Sequence, residues 1–324
     1  MTNEVLVTGG AGFIGSHLVD ALMARGNEVV VLDNLSSGAL ENLAKWLDNS
    51  NFRFVRGDLL KPSDVDDVLD GYDVVFHLAA NPEVRVGSVS PNVHFQQNVV
   101  ATYNLLEALR RRSDVEALVF TSSSTVYGEA ETPTREDYAL LKPISVYGAS
   151  KLACEALICA YAHSYGFRAV IHRLANVVGP RSEHGVIVDF VRKLGENPKR
   201  LEILGDGTQK KSYLYVTDCV EALLSGLDGA LDRVEVFNVG SEDQVDVLTI
   251  VRIVAEEMDL ADVKFRLTGG VDGGRGWVGD VKNMLLGISK LKKLGWKPKH
   301  GSAESIRLTV REMLSKTPNA KRRV

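Results

Sequence analysis

The sequence predicts an α/β protein: a doubly wound parallel sheet covered by helices on both faces, carrying a smaller, mostly C-terminal α/β domain. Short apolar runs that read as buried strands alternate with stretches of helical period as far as about Val177, the rhythm that builds parallel sheets. A glycine cluster, "TGGAGFIG", lies between the first strand and the first helix, where the chain must turn tightly. Beyond Val177 the turns "GPRSEHG", "GENPKR" and "GDGTQKK" divide the chain into shorter pieces, which marks a second unit.

The elements follow in order. Val5 to Thr8 is a β-rich run, and Phe13 to Ala24 is apolar at helical spacing and stops at Gly26. "EVVVLD", Glu28 to Asp33, is apolar almost throughout, as a strand buried on both faces must be. The alternation repeats with "NFRFVRGDL" as strand, "SDVDDVLDG" as helix with Ser63 as its N-cap, "DVVFHLAA" as strand and "NVVATYNLLEALRRR" as helix. "EALVFTSSS" reads as strand, "GASKLACEALICAYAHSYG" as helix and "RAVIHRLAN" as strand. "DCVEALLSGL" and "VEVFNVG" read as a helix and a strand that return to the first sheet. From Asp246 come a helix, a short strand, the glycine-rich loop "GGVDGGRGWVG" and a last helix. The expected domains are residues 1–177 with about 213–240, and about 178–212 with 241–324.

Composition excludes several classes. The 324 residues are 45% hydrophobic and 25% charged, an ordinary soluble globular balance in a chain long enough for roughly two domains. A net charge of -4, from 38 basic and 42 acidic residues, lacks the basic excess that nucleic-acid binding leaves. Arg110-Arg111-Arg112 and Lys321-Arg322-Arg323 read as a solvated helix end and a frayed terminus. Cys154, Cys159 and Cys219 form no C-x-x-C pair and are odd in number, which indicates buried thiols rather than a zinc site or disulfides. There is no basic leader and no apolar run of membrane-spanning length. The cytoplasm is the expected location, and neither membrane nor nucleic acid is an expected partner.

The glycines carry the first chemical signal. Gly9, Gly12 and Gly15 fit G-x-x-G-x-x-G, and Gly10, Gly12 and Gly15 fit G-x-G-x-x-G. Missing side chains let the backbone approach a pyrophosphate, which the N–H groups and positive dipole of the next helix stabilise. The cluster follows a strand, opens a helix and has Asp33 ending the next strand, the context of a Rossmann-type dinucleotide fingerprint. A carboxylate there accepts hydrogen bonds from both ribose hydroxyls and repels a 2′-phosphate, which favours NAD over NADP. Asn34 adds no positive charge to reverse that choice. Asp58, ending the third strand, reads equally as an adenine contact or a solvated strand end. His77 to Ala80 close the fourth strand in small residues, which lets a cofactor lie close.

The second signal is "SVYGASKLACEAL", which sets Tyr147 four residues before Lys151 on one helical face. Alone, such a pair is commonplace on helices. "VFTSSSTVYG" runs a strand into three serines and a threonine; beside a cofactor these hydroxyls face the crevice where open α/β sheets bind ligands, and otherwise they form a polar turn.

Taken together, "TGGAGFIGS", "DN" at 33 to 34, "GDL" at 57 to 59, "HLAA", "NV" at 98 to 99, "SSSTVYG", "YGASK", "RLANVVGP", "GDGTQKKSYLYVTD", "FNVG" and "GD" at 279 to 280 span nearly the whole chain. In these motifs the sequence resembles the extended short-chain dehydrogenase/reductases, most closely their UDP-glucose (UDP-galactose) 4-epimerase branch. The resemblance implies bound NAD, a UDP-sugar substrate, and a homodimer that pairs the helix after Asn98 with the helix containing Lys151. It makes Tyr147 the acid/base, Lys151 the cation that lowers its pKa and binds the nicotinamide ribose, and Ser123 the hydroxyl partner that shares the sugar's O4 proton. A free phenol near pKa 10 becomes a base at neutral pH only beside positive charge. The implied cofactor wall is Gly9, Gly12, Phe13, Ile14 and Gly15, then Asp33, Asn34, Asp58 and Leu59, then Leu78, Ala79, Ala80, Asn98 and Ser122, and finally Ala175 and Val177 with Tyr147 and Lys151.

Dehydratases of the same family carry an Asp-Glu pair after the catalytic hydroxyl, where this chain has Ser124 and Thr125, and the related decarboxylases keep an acid in this segment. Oxidation at C4 followed by re-reduction is the chemistry left. For the substrate, the resemblance implies Ser123 at the sugar's O4, Asn176 at the diphosphate, the backbone of Glu202 and Leu204 at the uracil, and Val186 and Asp280 as further substrate contacts. Two positions depart from the family. Its diphosphate-clamping arginine is Lys211, a point charge without bidentate geometry, and its second arginine is Trp277, with Arg275 two positions away as a substitute. Met284 reads as a gate of the sugar pocket or as plain core. The resulting expectation is an epimerase of UDP-galactose and UDP-glucose; the alternatives are another UDP-sugar, such as UDP-N-acetylglucosamine or a uronic acid, and a non-catalytic NAD-binding protein.

Overall fold

In the computed structural model, which describes residues 4–69, 71–112 and 115–315, a seven-stranded sheet forms the frame. Its first six strands are β1 (Glu4–Thr8), β2 (Glu28–Asp33), β3 (Phe52–Arg56), β4 (Val74–His77), β5 (Ala117–Ser123) and β6 (Arg168–Leu174). The seventh, Val234–Val239, returns late in the chain to the free edge of β6, as the sequence led us to expect. Every pairing is parallel, and the order is Val234–Val239, β6, β5, β4, β1, β2, β3. This is the Rossmann-type order, which reverses between β1 and β4 and opens a crevice at the carboxyl ends of those strands.

The apolar runs are explained by burial on both faces. Val5, Val7, Val31, Phe76 and Val119 face one layer with Leu18, Leu22 and Leu223. Their strand neighbours Leu6, Leu32, Val75, Leu118 and Phe120 face the other with Leu105, Leu106 and Ile158. Alternate residues of a strand point to opposite faces, so a strand covered on both must be apolar at every position. The first layer contains the helices Phe13–Ala24 and Val216–Gly229, and the second contains Ala101–Leu109 and Val146–Tyr165.

Two helices differ from expectation. The one expected over "SDVDDVLDG" starts at Pro62 and covers only Pro62–Asp66, with Lys61 rather than Ser63 at the N-cap. Proline needs no N–H in the first turn and its fixed φ suits that position, which pulls the start upstream. The helix expected from Asn98 begins at Pro91, widens to π-type turns over Phe95–Val100 and becomes α-helical at Ala101. Such insertions collect at functional sites, and this one holds the buried side chain of Asn98.

The remaining elements build a smaller lobe at the carboxyl edge of the sheet. Asn176–Val178 pairs with Tyr213–Tyr215, Arg200–Ile203 with Lys264–Leu267, and Lys210–Lys211 lies between Val245–Asp246 and Asn283–Met284. Ile187, Phe190, Ile203, Ile250, Val254, Ile306 and Val310 form its own core. A short additional helix, Ser289–Lys293, precedes the last one, Ser302–Ser315. Arg110 pairs with Glu107 and Arg111 with Asp66, so those two arginines end a solvated helix as expected; Lys321-Arg322-Arg323 lies outside the described residues. Among the described residues no helix is long and apolar enough to cross a membrane.

Phe76 is fully buried in the centre of the sheet. Phe76→Ala should lower the unfolding free energy in urea by about 3–5 kcal/mol, and a loss below about 1 kcal/mol would contradict the packing described.

Candidate active site

The glycine turn shapes one end of a cleft of about 580 Å³ that runs between the sheet and the smaller lobe. Gly9 adopts φ +73°, and a Cβ there would lie 2.6 Å from the Ala79 nitrogen. A Cβ on Gly15 would overlap the Gly9 carbonyl. Only glycine permits the turn and the close approach of helix to strand. Helix Phe13–Ala24 starts from Gly12 with no side-chain cap and no acid in its first turn, leaving the dipole's positive end open to an anion.

Asp33 ends β2 beside this turn. Its carboxylate accepts the N–H of Ala11 at 3.0 Å and of Leu35 at 2.8 Å, while burial pushes its pKa up against those two bonds. Both oxygens keep lone pairs for ribose hydroxyls. Asn34 donates to Asp58 at 3.3 Å, and Asp58 accepts the Leu60 N–H at 2.9 Å. The loop after β2 closes on the turn: Gly38 packs on the Ala11 backbone and Asn42 donates to the Ala11 carbonyl at 2.9 Å. That contact was not visible in the sequence, because it joins two loops with no shared period.

The turn fits NAD. It offers a bare helix start for the pyrophosphate, a carboxylate for the ribose, and no lysine or arginine from Asn34 to Asn42 to attract a 2′-phosphate. Phe13, Ile14, Leu59, Leu78, Ala79 and Ala80 line the cleft in continuation. Ser122, Ala175 and Val177 line it further along. Asn98 does not; it accepts the Asn81 N–H and donates to Ser150, both at 2.8 Å, and so supports the wall from behind.

The candidate reactive groups stand where β5 meets helix Val146–Tyr165. Ser145 caps that helix by accepting the Gly148 N–H at 3.0 Å, which places Tyr147 in its first turn. Lys151, one turn on and 2% exposed, donates to the Thr121 carbonyl at 2.8 Å. Burial lowers its pKa to about 8, although the neighbouring Cys154 and Glu155 oppose the shift. Burial also raises Tyr147 to about 12, against a hydrogen bond with Ser123 that pulls it down. Thr125 donates its hydroxyl to Ser123 at 2.9 Å, orienting that oxygen. Ser124 and Thr125, which also line the cleft, provide hydroxyls where a dehydratase would need carboxylates. His94 packs edge-on against the Tyr147 ring at 5.4 Å. His77 is held between Thr8 and Thr102 and driven down to about 3 by burial and the charge of Lys151, so it stays neutral.

The far end of the cleft belongs to the smaller lobe. Asn176, Val186, Leu204, Lys211, Asp280 and Met284 line it. Lys211 pairs with the buried Asp280 at 2.5 Å and lies 5.2 Å from the Trp277 ring centre. Arg85 approaches the same ring at 5.8 Å, and its guanidinium also meets Glu83 at 3.1 Å. The Trp277 Nε1 is buried without a hydrogen-bond partner among the described residues. Arg275 is not at the cleft: it pairs with Glu129 at 2.7 Å and with the Asp272 carbonyl. Glu202 also stands outside, its strand paired with Lys264–Leu267 and its side chain near Arg266. Arg85 escaped the sequence reading because it comes from the loop after β4, far in sequence from Lys211 and Trp277, and no local signal marks it.

Comparison with known proteins agrees with this geometry. The model of the NAD dependent epimerase/dehydratase family matches residues 5–240. A putative UDP-glucose 4-epimerase of Methanocaldococcus jannaschii is 35% identical over 316 residues, covering 95% of this chain and 98% of that protein. The crystal structure of a UDP-galactose 4-epimerase is 47% identical with a TM-score of 0.85, covering 97% of this chain and 99% of that one. A UDP-glucuronic acid 4-epimerase from Bacillus cereus, solved with UDP-glucuronic acid and NAD, is 30% identical with a TM-score of 0.87 and covers 97% and 99%. With the glycine turn, Asp33 and the Tyr147–Lys151 pair converging on one cleft, the chain belongs to the NAD-dependent epimerase/dehydratase family, and NAD is its cofactor.

Proposed function

We propose that this protein is a UDP-glucose 4-epimerase, interconverting UDP-galactose and UDP-glucose with bound NAD. The observation that carries the reading is the Ser123, Tyr147 and Lys151 set at the end of β5, with hydroxyls instead of carboxylates at Ser124 and Thr125. Residues 1–177 with about 213–240 hold the cofactor in this reading, and about 178–212 with 241–324 hold the nucleotide sugar.

Bound NAD supplies a reversible acceptor for the hydride carried on the sugar's C4. Tyr147 takes the C4 hydroxyl proton, with Ser123 sharing the hydrogen bond. Its intrinsic affinity for that proton is too high for neutral pH, since burial holds it near 12 in the protein without ligands. Lys151, one turn away, contributes the positive charge that favours the phenolate. The Thr121 carbonyl fixes the ammonium by accepting one of its protons. The 4-keto sugar then presents its other face, and Tyr147 returns the proton. With no carboxylate at 124 or 125 to abstract a C5 proton, loss of water does not compete.

A second reading, epimerisation of UDP-glucuronate, is favoured by Arg85, a cleft-lining guanidinium in addition to Lys211. A panel of UDP-galactose, UDP-N-acetylglucosamine and UDP-glucuronate decides between them. Fastest conversion of UDP-galactose is expected, and no conversion of it would refute the proposal. Tyr147→Phe should lower kcat by about 10²–10⁴-fold with the fold intact, and retained turnover would remove Tyr147 from the mechanism.

At the diphosphate end, Lys211 and Arg85 provide the donors, and both cations lie over the Trp277 ring, at 5.2 and 5.8 Å. Cation–ring contacts of this kind contribute about 0.5–1 kcal/mol each, so the ring holds both charges towards the cleft. Trp277→Leu, which keeps an apolar side chain and removes the ring, should raise KM for the UDP-sugar about tenfold and change kcat less than about threefold. An unchanged KM would show that the ring does not position these cations for the substrate.

We also propose a homodimer that pairs the helix after Asn98 with the helix containing Lys151. Tyr103 and Tyr165 on these helices, and Phe95 in the turns that lead into the first, are 45%, 51% and 54% exposed, respectively, and aromatic side chains are favoured at interfaces. Light scattering should give the mass of two chains, and Tyr103→Glu the mass of one. A wild-type monomer would contradict the assembly.

A further inference from the structure

Beneath the reactive groups lies a buried ion pair that the reaction scheme does not use. Tyr147, Lys151 and Glu155 recur every four residues along helix Val146–Tyr165, on one face. Each meets a successive residue at the end of β5. Lys151 donates to the Thr121 carbonyl at 2.8 Å, Glu155 accepts the Ser122 hydroxyl at 2.5 Å, and Tyr147 bonds the Ser123 hydroxyl. Glu155 is 6% exposed, and Arg173 on β6 grips it with two nitrogens, Nη2 at 2.7 Å and Nε at 3.0 Å.

The pair continues outward. Arg173 donates to the Tyr127 hydroxyl at 2.9 Å, and Tyr127 donates to the Asn238 side chain at 2.8 Å. Asn238 donates in turn to the carbonyls of Thr134 and Gly287. One hydrogen-bonded chain thus joins the helix of Tyr147, the strands β5 and β6, the seventh strand and the segments leading into the smaller lobe. Buried ion pairs add little net stability, because removal from water offsets the attraction between the charges. Core packing alone therefore gives no reason for an ion pair here.

We propose that Glu155 is a positioning residue of the active site: clamped by Arg173, it fixes the register of the Tyr147 helix against the end of β5 and keeps the buried Lys151 ammonium charged. The proposal rests on the reading of Tyr147 and Lys151 as the acid/base pair. The groups facing Lys151 are few. Tyr147, Cys154 and Glu155 come from its own helix, His77 from β4, His94 from the turn before Phe95, and Arg173 from β6 behind Glu155; β5 offers hydroxyls, a carbonyl and the Phe120 ring, 4.7 Å from the ammonium, none of which is titratable. Burial raises the Cys154 thiol and lowers both histidines. Glu155 is therefore the group that supplies negative charge near neutral pH.

The sign of the effect follows. Lys151 is held near pKa 8, chiefly by burial, with Cys154 and then Glu155 acting in the opposite direction. In Glu155→Gln the opposing charge is gone while Arg173 remains, so Lys151 loses its proton at lower pH and ceases to favour the Tyr147 phenolate. The alkaline limb of kcat should move acidward by about one pH unit, and kcat at pH 7 should fall about tenfold or more, with KM changed less than about threefold. In the NAD-loaded protein, ultraviolet titration of the tyrosinate band, corrected with Tyr147→Phe, should show Tyr147 ionising about one unit higher.

Glu155→Met/Arg173→Met removes both charges and tests whether the pair merely fills the core. It should regain unfolding stability relative to Glu155→Gln yet keep the low kcat and the raised Tyr147 ionisation. Recovery of kcat together with stability, or an unmoved Tyr147 titration in folded Glu155→Gln, would overturn the proposal. If the wild type converts no UDP-sugar, the substrate reading fails alone, because the tyrosinate titration decides the role of Glu155 without turnover.

Discussion

A buried ammonium ion is the constraint on which the site depends. Lys151 is 2% exposed and has one carbonyl, that of Thr121, as its hydrogen-bond acceptor among the described residues. Burying a charge is costly unless other groups replace its hydration, and the protein supplies a strand-end carbonyl, the Phe120 ring at 4.7 Å, the Tyr147 ring at 6.0 Å and the Glu155 carboxylate. The arrangement needs β5 to end at Ser123 and the helix to begin at Val146, and Ser145 fixes that beginning by its cap. Positive charge beside a phenol is what makes a base of a group that burial alone would leave protonated.

The sheet brings these groups to the cofactor. Parallel strands end on one edge, so the glycine turn after β1, Asp33 after β2, and Ser123 after β5 all open on the same crevice although they are spread over more than a hundred residues. The smaller lobe closes the crevice from the other side with Asn176, Lys211, Trp277 and Asp280. Its far end, which the proposed function assigns to the diphosphate, differs from the family pattern in chemistry: a point charge, an indole and a guanidinium from the opposite lobe stand where the resemblance implies two arginines. Lys211 spends one of its interactions on Asp280, so its charge is oriented before any ligand arrives.

Legibility in the sequence followed the range of the interactions. Strand β2 could be read to its ends because burial on both faces writes an unbroken apolar run, and the helix Phe13–Ala24 because its period and its Gly26 stop are local signals. The cofactor turn was legible for the same reason, since a tight βα turn admits little but glycine. Pro62 and the π-type turns at Phe95–Val100 moved two helix starts, one through proline's fixed φ and the other through tertiary contacts of Asn98 that no periodicity encodes. Arg85, which no local signal marked, lies over Trp277 at the cleft while Arg275 pairs with Glu129 outside it, because nearness in sequence to Trp277 does not decide which loop faces the cleft. Glu155 was hidden in plain helical spacing; its meaning depends on Arg173, eighteen residues on and one strand across.

The central claim is that the same hydride leaves and returns to C4 inside one closed site. UDP-galactose carrying deuterium at C4, incubated with the protein in ordinary water and followed by NMR and mass spectrometry, tests it directly. The account predicts UDP-glucose with the deuterium retained at C4 and no lasting accumulation of reduced nicotinamide. Formation of UDP-glucose with protium from solvent at C4 would contradict it.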